Sequence, residues 1–231
     1  MHHEEGQPTD GAEPRVVVNP PLTEELRSHL VDMWVRVTNE GGSVGFVPPV
    51  TAADIRSTAD RSFERVRRGT DALVCLVVSN NSEKMRESLR KKDTLASSET
   101  AQNGATGCPG TESDNQASTA LSGPLAGDRV VAWLLLAESE SLLRRHWRTV
   151  YRVQVDPAWQ GAGLGTSLMA AAAKYARDEL GLEALTLMTR SGTGAERFYK
   201  RCGYREVGRI PGAIRVGPND NRDEVHFWLD L

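Results

Sequence analysis

The segment that most constrains the fold is VQVDPAWQGAGLGTSL, at residues 153–168 of the 231-residue chain. Residues rich in β-branched side chains ahead of Asp156-Pro157 predict a strand that ends at this dipeptide. The residues from Leu164 onwards have the spacing and composition of a strong helix. The chain must therefore pass from a strand, through a turn of small residues, directly into a helix.

The turn in this segment predicts an anion-binding site. Gly161, Gly163 and Gly165 are spaced so that side chains do not block the approach of a ligand. The N–H groups of residues 161–166 have no partners within the new helix and point outwards at the positive end of its dipole. Such a turn suits a pyrophosphate and needs no basic side chains. Taken alone, a role in packing or a dinucleotide turn stays open, although a P-loop is excluded because no Lys-Ser/Thr follows the glycines.

Apolar patterns in the rest of the chain predict one mixed α/β domain with a central sheet. A four-residue spacing from Leu22 to Trp34 predicts one amphipathic helix, and a similar pattern from Ile55 to Val66 predicts another. Short β-branched runs predict buried strands. One strand is predicted ahead of the first helix. The later strands span residues 72–78, 129–137, 149–157, 183–189 and 224–231, with a further strand near 204–209, and the later helices span 164–180 and 194–202.

Two segments have too few apolar residues to fold. Residues 1–14 are polar and have no periodicity, and residues 79–127 are dominated by Ser, Asn, Thr, Gly, Ala and Glu. Such compositions cannot bury enough surface to offset the entropy of ordering the chain. We therefore expect a disordered tail over 1–14 and one folded domain over 15–231, interrupted by a disordered insertion at about 79–127.

Composition argues against several function classes. Lys plus Arg number 28 against 31 Asp plus Glu, so no overall field suits nucleic acid or an anionic membrane. Cys75, Cys108 and Cys202 are widely spaced and have no neighbouring histidines, so we expect neither a disulfide framework nor a metal site. The sequence has no apolar run long enough to cross a bilayer, and the N-terminus lacks the features of a signal peptide. We expect a cytoplasmic protein.

Two motifs together give the chain a family resemblance. The glycine turn matches the pattern Gln-x-x-Gly-x-Gly, and GAERFYKRCGY at residues 194–204 matches A-x-x-x-Y-x-x-x-G-F/Y. Both patterns are those of the GNAT family of N-acetyltransferases, which the chain resembles from about Val130 to its C-terminus. The matching residues are Gln160, Gly161, Gly163 and Gly165 in the first motif, and Ala195, Phe198, Tyr199, Gly203 and Tyr204 in the second.

The resemblance implies a mostly antiparallel, splayed sheet flanked by helices, with acetyl-CoA as the acyl donor. It implies a bulge in the strand before the glycine turn and an oxyanion contact from the Val155 N–H. Gly192 stands where the family often has Asn, so only its backbone can contact the donor. The residues expected to contact acetyl-CoA are Val153, Gln154, Val155, Gln160, Gly161, Ala162, Gly163, Leu164, Gly165, Thr166, Gly192, Ala195 and Tyr199.

The resemblance also implies that Tyr199 acts as the general acid that protonates the departing thiolate, although an aromatic residue there could instead serve the core. A general base is harder to identify. Many members of the family have an acidic residue where this chain has Thr149 or Met188. The remaining candidates for the base are Glu138, Glu40 and His226.

The loop GGSVGF, at residues 41–46, resembles that of tabtoxin-resistance-type acetyltransferases and suggests that Gly42, Ser43 and Phe46 contact a small-molecule amine. A plain turn between two helices is the alternative. Segments 41–49 and 210–224 could both cover the site, which favours a small molecule over a protein N-terminus or lysine. A non-catalytic acyl-CoA-binding module stays open as a further alternative. We expect a monomer or homodimer.

Overall fold

A computed structural model of the protein describes residues 14–79, 125 and 127–231. The order of its strands and helices is the one that the sequence patterns predict. The strands are β1 (Arg15–Val18), β2 (Asp71–Ser79), β3 (Asp128–Ala137), β4 (Trp147–Val155), β5 (Ala184–Arg190), β6 (Arg205–Gly217) and β7 (Asp220–Asp230), and the helices are α1 (Glu24–Asn39), α2 (Ala52–Arg67), α3 (Leu164–Asp178) and α4 (Ala195–Arg201).

The seven strands form one sheet in the order β1-β2-β3-β4-β5-β7-β6. All neighbours are antiparallel except β4 and β5, which run parallel. The β4–β5 ladder extends only from the pair Trp147–Ala184 to the pair Thr149–Thr186. The rest of β4 is not paired with β5, which confirms the predicted splayed, mostly antiparallel sheet.

Helices cover both faces of the sheet. On one face α1 and α2 pack against β2 and β3, where Trp34 and Phe63 contact the ring of Trp133. On the other face α3 packs through Leu168 and neighbouring alanines, and Phe227 of β7 belongs to the same cluster. Burial of each such large apolar side chain contributes about 1.5–3 kcal/mol of transfer free energy. These two layers hold the strands beside the splay in place.

The ends of α1 and α2 fix the loop between them. The side chain of Asn39, the last residue of α1, donates to the Val50 carbonyl at 2.9 Å and accepts from the Val50 N–H at 2.8 Å. Thr51 and Asp54 form a capping box at the start of α2. Because both ends are tied, the intervening loop has a defined position beside the sheet.

Residues 1–13 of the predicted tail and most of the predicted insertion lie outside the described residues, so their disorder stays a prediction. Three positions within the predicted insertion are described, namely Ser79, Leu125 and Gly127. Ser79 is the last residue of β2, and Leu125 is only 4% exposed and packs in the α1–α2 layer. Segment 210–224, proposed above as a cover for the site, folds as the outer part of the β6–β7 hairpin. None of the helices in the described ranges is long and apolar enough to span a membrane.

Candidate active site

A β-bulge in β4 shapes the splay. Trp133 of β3 pairs with Gln154 and Leu135 pairs with Tyr151, so β4 has one residue more than β3 over this stretch. Arg152 takes up the difference with a φ of 56°, an unfavourable conformation for a residue with a side chain. The bulge that the family resemblance implied is therefore present.

The end of β4 offers a backbone donor to the splay. The Asp156 N–H donates to the Val131 carbonyl of β3 at 2.8 Å. Successive amides of an extended strand point to opposite edges, so the Val155 N–H points away from β3 and towards β5. The β4–β5 ladder has already ended at Thr149. This is the position predicted for a donor to a thioester carbonyl.

A cavity of about 590 Å³, here called the turn cavity, lies between the end of β4, the glycine turn and α4. Ten of the thirteen residues expected to contact the donor line it. Those ten residues are Val153, Val155, Gln160, Gly161, Gly163, Leu164, Gly165, Thr166, Ala195 and Tyr199.

The structure does not bring the other three expected donor contacts to the turn cavity. Gln154 is 1% exposed and faces the α1–α2 layer, as its β3 partner Trp133 does. Gly192 lines a separate cavity of about 230 Å³. Ala162 is absent from the lining, although both of its neighbours belong to it. Arg201 of α4 does line the turn cavity, so one basic side chain supplements a site that the sequence predicted to lack them.

The glycine turn has the form that a closely approaching ligand requires. Gly161 and Gly163 have φ values of 82° and 78°, and a Cβ at either position would meet no atom of the described residues within 4 Å. Gly163 is the N-cap of α3, so the free amides of the first helical turn follow it directly. Gly165 has a different role, because a Cβ there would lie 3.2 Å from the Phe198 ring of α4. The turn fits a pyrophosphate held by backbone amides.

A second cavity, of about 380 Å³, adjoins the first on the side of β5 and the β6–β7 hairpin. Three arginines line it, and it is called the arginine cavity below. It shares Ser43, Val44, Val153 and Tyr199 with the turn cavity. The two cavities therefore meet where β4 splays from β5.

Tyr199 lies at this junction and packs tightly. Its ring centroid is 5.1 Å from that of Phe198 and 5.9 Å from that of Phe227. Burial raises the pKa of Tyr199 above its ordinary value, so the hydroxyl stays protonated near neutrality. The ring therefore contacts the core and the residue also lines both cavities, while its role as the general acid stays a prediction.

The 41–46 loop contributes to both cavities. Its position is fixed at Val44, whose carbonyl accepts from Trp34 Nε1 at 3.1 Å and from Arg152 Nη1 at 2.9 Å. Of the predicted acceptor contacts, Gly42 lines the turn cavity, Phe46 the arginine cavity and Ser43 both. The loop is thus more than a connection between two helices.

A comparison with protein-family models finds a match over part of the chain. The model described as the acetyltransferase (GNAT) family matches residues 92–204, a range that includes the glycine turn and α4. Over that range, 113 of its 231 residues, the chain matches the GNAT family of acetyltransferases. A comparison with curated protein sequences finds no match.

Solved structures share the GNAT fold at low sequence identity. A protein described as a phosphinothricin N-acetyltransferase is 15% identical with a TM-score of 0.57, over 94% of this chain and 99% of that chain. The yncA acetyltransferase of Salmonella typhimurium, described with its cofactor acetyl-CoA, is 12% identical with a TM-score of 0.56, over 95% of both chains. A mutant spermidine N-acetyltransferase from Vibrio cholerae is 13% identical with a TM-score of 0.53, over 94% of both chains.

Among the predicted bases, Glu138 and Glu40 lie away from both cavities. The Glu138 carboxylate accepts from Arg148 at 3.2 Å, and neither cavity includes it in its lining. Glu40 is exposed at the C-terminal end of α1. His226 lines neither cavity, but its Nε2 lies 2.9 Å from Glu224 Oε1.

Glu224 is the acidic residue that sequence reasoning missed, and it lines the arginine cavity. Val225 and Phe227 are buried in the α3 layer, so Glu224 and His226 share the opposite face of β7. His226 alternates with the apolar residues Val225 and Phe227, and the same alternation includes Glu224. Arg152, Arg190 and Arg215 were also missed, and no local motif marks them.

Proposed function

We propose that the protein transfers the acetyl group of acetyl-CoA to a primary amine of a small molecule by direct attack on the thioester. The observation that supports this most strongly is the junction of the two cavities. One side of the junction has the glycine turn of α3, and the other has Glu224. Donor and acceptor can therefore enter from different sides and meet beside Val153 and Tyr199.

The residues of the turn cavity suit acetyl-CoA. The open amides at the start of α3 fit the pyrophosphate, and Arg201 adds a positive charge nearby. The pantetheine arm then follows β4 towards Val153 and Val155. In this arrangement the thioester carbonyl accepts a hydrogen bond from the Val155 N–H, which stabilises the oxyanion as the amine attacks.

The acceptor must lose a proton before or during the attack. An alkyl amine has a pKa of about 10.4 in water and is mostly protonated near neutrality. We assign Glu224 as the group that takes this proton, directly or through a water, because its carboxylate lines the arginine cavity. His226 Nε2 lies 2.9 Å from that carboxylate without hydrogen-bond geometry, and we assign His226 the role of restricting the position of the carboxylate by this contact.

The bond changes balance as follows. The amine nitrogen forms a bond to the carbonyl carbon, and collapse of the tetrahedral intermediate breaks the C–S bond. The CoA thiolate leaves with the electron pair and takes a proton from the Tyr199 hydroxyl. Glu224 passes the first proton of the amine to solvent, and the nitrogen, once bonded to the acyl carbon, loses its second proton by the same route. Tyr199 recovers a proton from solvent, so one proton is released overall.

The size of the arginine cavity favours a small molecule over a peptide. Its volume of about 380 Å³ falls within the range of roughly 300–1,000 Å³ typical of small-ligand sites. The 41–46 loop and the β6–β7 hairpin both contribute to its lining. The names of two structural neighbours, phosphinothricin and spermidine N-acetyltransferase, point in the same direction.

A thiol-release assay tests the proposal against the alternatives. The protein is mixed with acetyl-CoA and a panel of amino acids, polyamines and peptides with free N-termini, and CoA release is followed. We expect release that depends on a small amine and is lost in Gly163→Val. Faster turnover of the peptides would favour a peptide N-acetyltransferase. Acetyl-CoA binding by calorimetry without turnover of any amine would favour a non-catalytic module.

A further inference from the structure

The charges that line the arginine cavity are unevenly balanced. Arg152, Arg190 and Arg215 contribute three guanidinium groups, and Glu224 contributes one carboxylate. Within the described residues, no carboxylate lies within ion-pair distance of any of these three arginines. Their hydrogen-bond partners are neutral: the Val44 carbonyl for Arg152, the Gly41 carbonyl for Arg190 and the Asn221 side chain for Arg215. The cavity thus has an excess of positive charge.

Arg152 is the clearest case of an uncompensated charge. Its guanidinium lies 4.7 Å from the ring centroid of Trp34, and burial lowers its pKa from the ordinary value. A guanidinium nevertheless stays protonated in a protein. A carbonyl and an aromatic face replace only part of the lost hydration of a buried cation. An anion bound in the cavity would supply the missing compensation.

The opposite charge lies close to Arg190. Arg190 of β5 and Glu224 of β7 are direct cross-strand partners, which places their Cβ atoms about 4.5–5.5 Å apart. The two side chains do not pair, because Glu224 lies against His226 instead. The cavity therefore presents a carboxylate and a guanidinium from adjacent positions, and the guanidinium also makes a long contact of 3.5 Å with the Gly41 carbonyl.

A buried hydroxyl gives independent support for a polar ligand. Thr189 lines the arginine cavity and is only 6% exposed. Its Oγ1 has no hydrogen-bond partner in the part of the chain that the structure describes. Buried hydroxyls are normally paired, so an unpaired one that lines a cavity indicates that a ligand group or a water completes the bond.

We propose that the acceptor is an amine that also has a carboxylate or a similar anionic group, as amino acids and their derivatives do. This inference rests on the proposed function and names the substrate class of the same site. The amine lies towards Glu224 and Tyr199, and the anionic group is held by Arg190 and Arg215. A polyamine does not fit, because its several positive charges would meet three guanidinium groups and one carboxylate.

The test compares acceptors that differ only in the anionic charge. Each α-amino acid in a panel is assayed beside its own primary amide, and spermidine is included. The amide has the less basic amine, so a site without charge selectivity would favour the amide. We expect kcat/KM for at least one amino acid to exceed that for its amide by about tenfold or more, a difference of about 1.4 kcal/mol.

Substitutions assign the selectivity to the arginines. Arg190→Gln and Arg215→Gln should each reduce the ratio between acid and amide about tenfold, mainly through the KM of the acid. Arg205→Gln is the matched control, because Arg205 is also on β6 but is 61% exposed and pairs with Asp230 outside the cavity. Thermal unfolding verifies that every variant is folded. Arg152 is left unchanged because it also holds the 41–46 loop.

The outcomes separate this inference from the proposed function. Equal or faster turnover of the amides or of spermidine would leave the acetyltransferase function in place and overturn the anionic acceptor. An unchanged ratio in both arginine variants would overturn it too. If no amine releases CoA, calorimetry measures binding of the amino acids to the protein loaded with CoA. Amino-acid binding that weakens in Arg215→Gln would support an anionic amine as the ligand but not the acetyltransferase activity. The lack of any binding would overturn both claims.

Discussion

Glu224 Oε1 lies 2.9 Å from His226 Nε2 on the same face of β7, and only Glu224 reaches the lining of the arginine cavity. The two residues can therefore have different roles in proton transfer. A base must come within hydrogen-bond reach of the amine or of a bridging water, whereas a residue behind it can only orient it. Glu224 is therefore the base in our proposal, and His226 is a positioning residue.

Glu224→Gln should lower kcat by roughly 10²- to 10⁴-fold, the usual contribution of general acid–base catalysis. The substitution keeps the shape of the side chain and removes its ability to take a proton. Steady-state kinetics with the best amine of the panel measures the effect. Glu138→Gln is the control and should stay within about threefold, because Glu138 pairs with Arg148 outside both cavities. The reverse pattern would identify Glu138 as the base.

Gly163→Val should weaken acetyl-CoA binding at least tenfold, or by about 1.4 kcal/mol. The Cβ of any residue here would occupy space that no described atom fills, beside the free amides of α3. The φ of 78° also strains a residue with a side chain. Calorimetric titration with acetyl-CoA measures the affinity.

Gly181→Val separates the loss of the ligand site from backbone strain. Gly181 follows the C-terminal end of α3, has a φ of 61°, and would also place its Cβ in open space. The two substitutions should reduce thermal stability alike, while only Gly163→Val weakens acetyl-CoA binding. Equal affinity for acetyl-CoA in both variants would show that the glycine turn is not the pyrophosphate site.

The element order and the glycine turn could be predicted because both depend on local patterns. Spacing from Leu22 to Trp34 marks α1 whatever that helix packs against. The turn is likewise recognisable from Gly161 to Gly165, since small residues must follow one another where a helix begins beside a ligand.

The acceptor side could not be predicted in the same way, because it depends on contacts between distant segments. Glu224 and Arg190 become neighbours only through the register of β5 with β7. The bulge places Arg152, a residue other than glycine, at a positive φ. No sequence pattern around Arg152 indicates this conformation. Gln154 was expected at the donor and instead faces Trp133, because the bulge resets which side chains of β4 face each layer.

Replacing residues 80–124 with a short Gly-Ser linker should leave acetyl-CoA affinity within a few-fold. Ser79 and Asp128 are partners in the β2–β3 ladder, so a short linker can join the two strands. Leu125 is retained because it is buried. Calorimetry and thermal unfolding check the result. Failure of this variant to fold would show that the replaced segment contributes to the domain, contrary to its composition.

His29 should make the protein less stable in mild acid. Burial lowers the pKa of His29 from its ordinary value of 6.5, and its Nε2–H donates to the Val130 carbonyl at 2.7 Å. The unfolded chain then binds a proton as the pH falls below that value, while the folded protein does not. The resulting loss of stability begins near the unfolded pKa and grows until the pH reaches the folded pKa.

Urea unfolding of the wild type and of His29→Gln isolates this contribution. Glutamine can still donate to the carbonyl but does not titrate. Between about pH 7.5 and about pH 5, the free energy of unfolding should fall further for the wild type than for the variant. The same fall in both proteins would assign the acid sensitivity to other groups.

Tyr199→Phe should lower turnover by roughly 10²- to 10⁴-fold, because it removes the proton donor for the CoA thiolate. The ring contacts with Phe198 and Phe227 remain, so the core should keep its packing. Affinity for acetyl-CoA should change far less, since the pyrophosphate contacts come from the glycine turn. Steady-state kinetics and direct binding of acetyl-CoA are measured on the same protein.

Tyr204→Phe is the matched control for this variant. Tyr204 belongs to the same aromatic cluster, with its ring centroid 6.2 Å from that of Tyr199, but it lines neither cavity. Burial raises the pKa of both tyrosines, so both are protonated donors near neutrality and differ only in access to the junction. A loss of turnover in Tyr199→Phe alone therefore depends on position rather than on the loss of a buried hydroxyl. Turnover within about threefold of the wild type in both variants would leave water as the proton donor and Tyr199 as a packing residue.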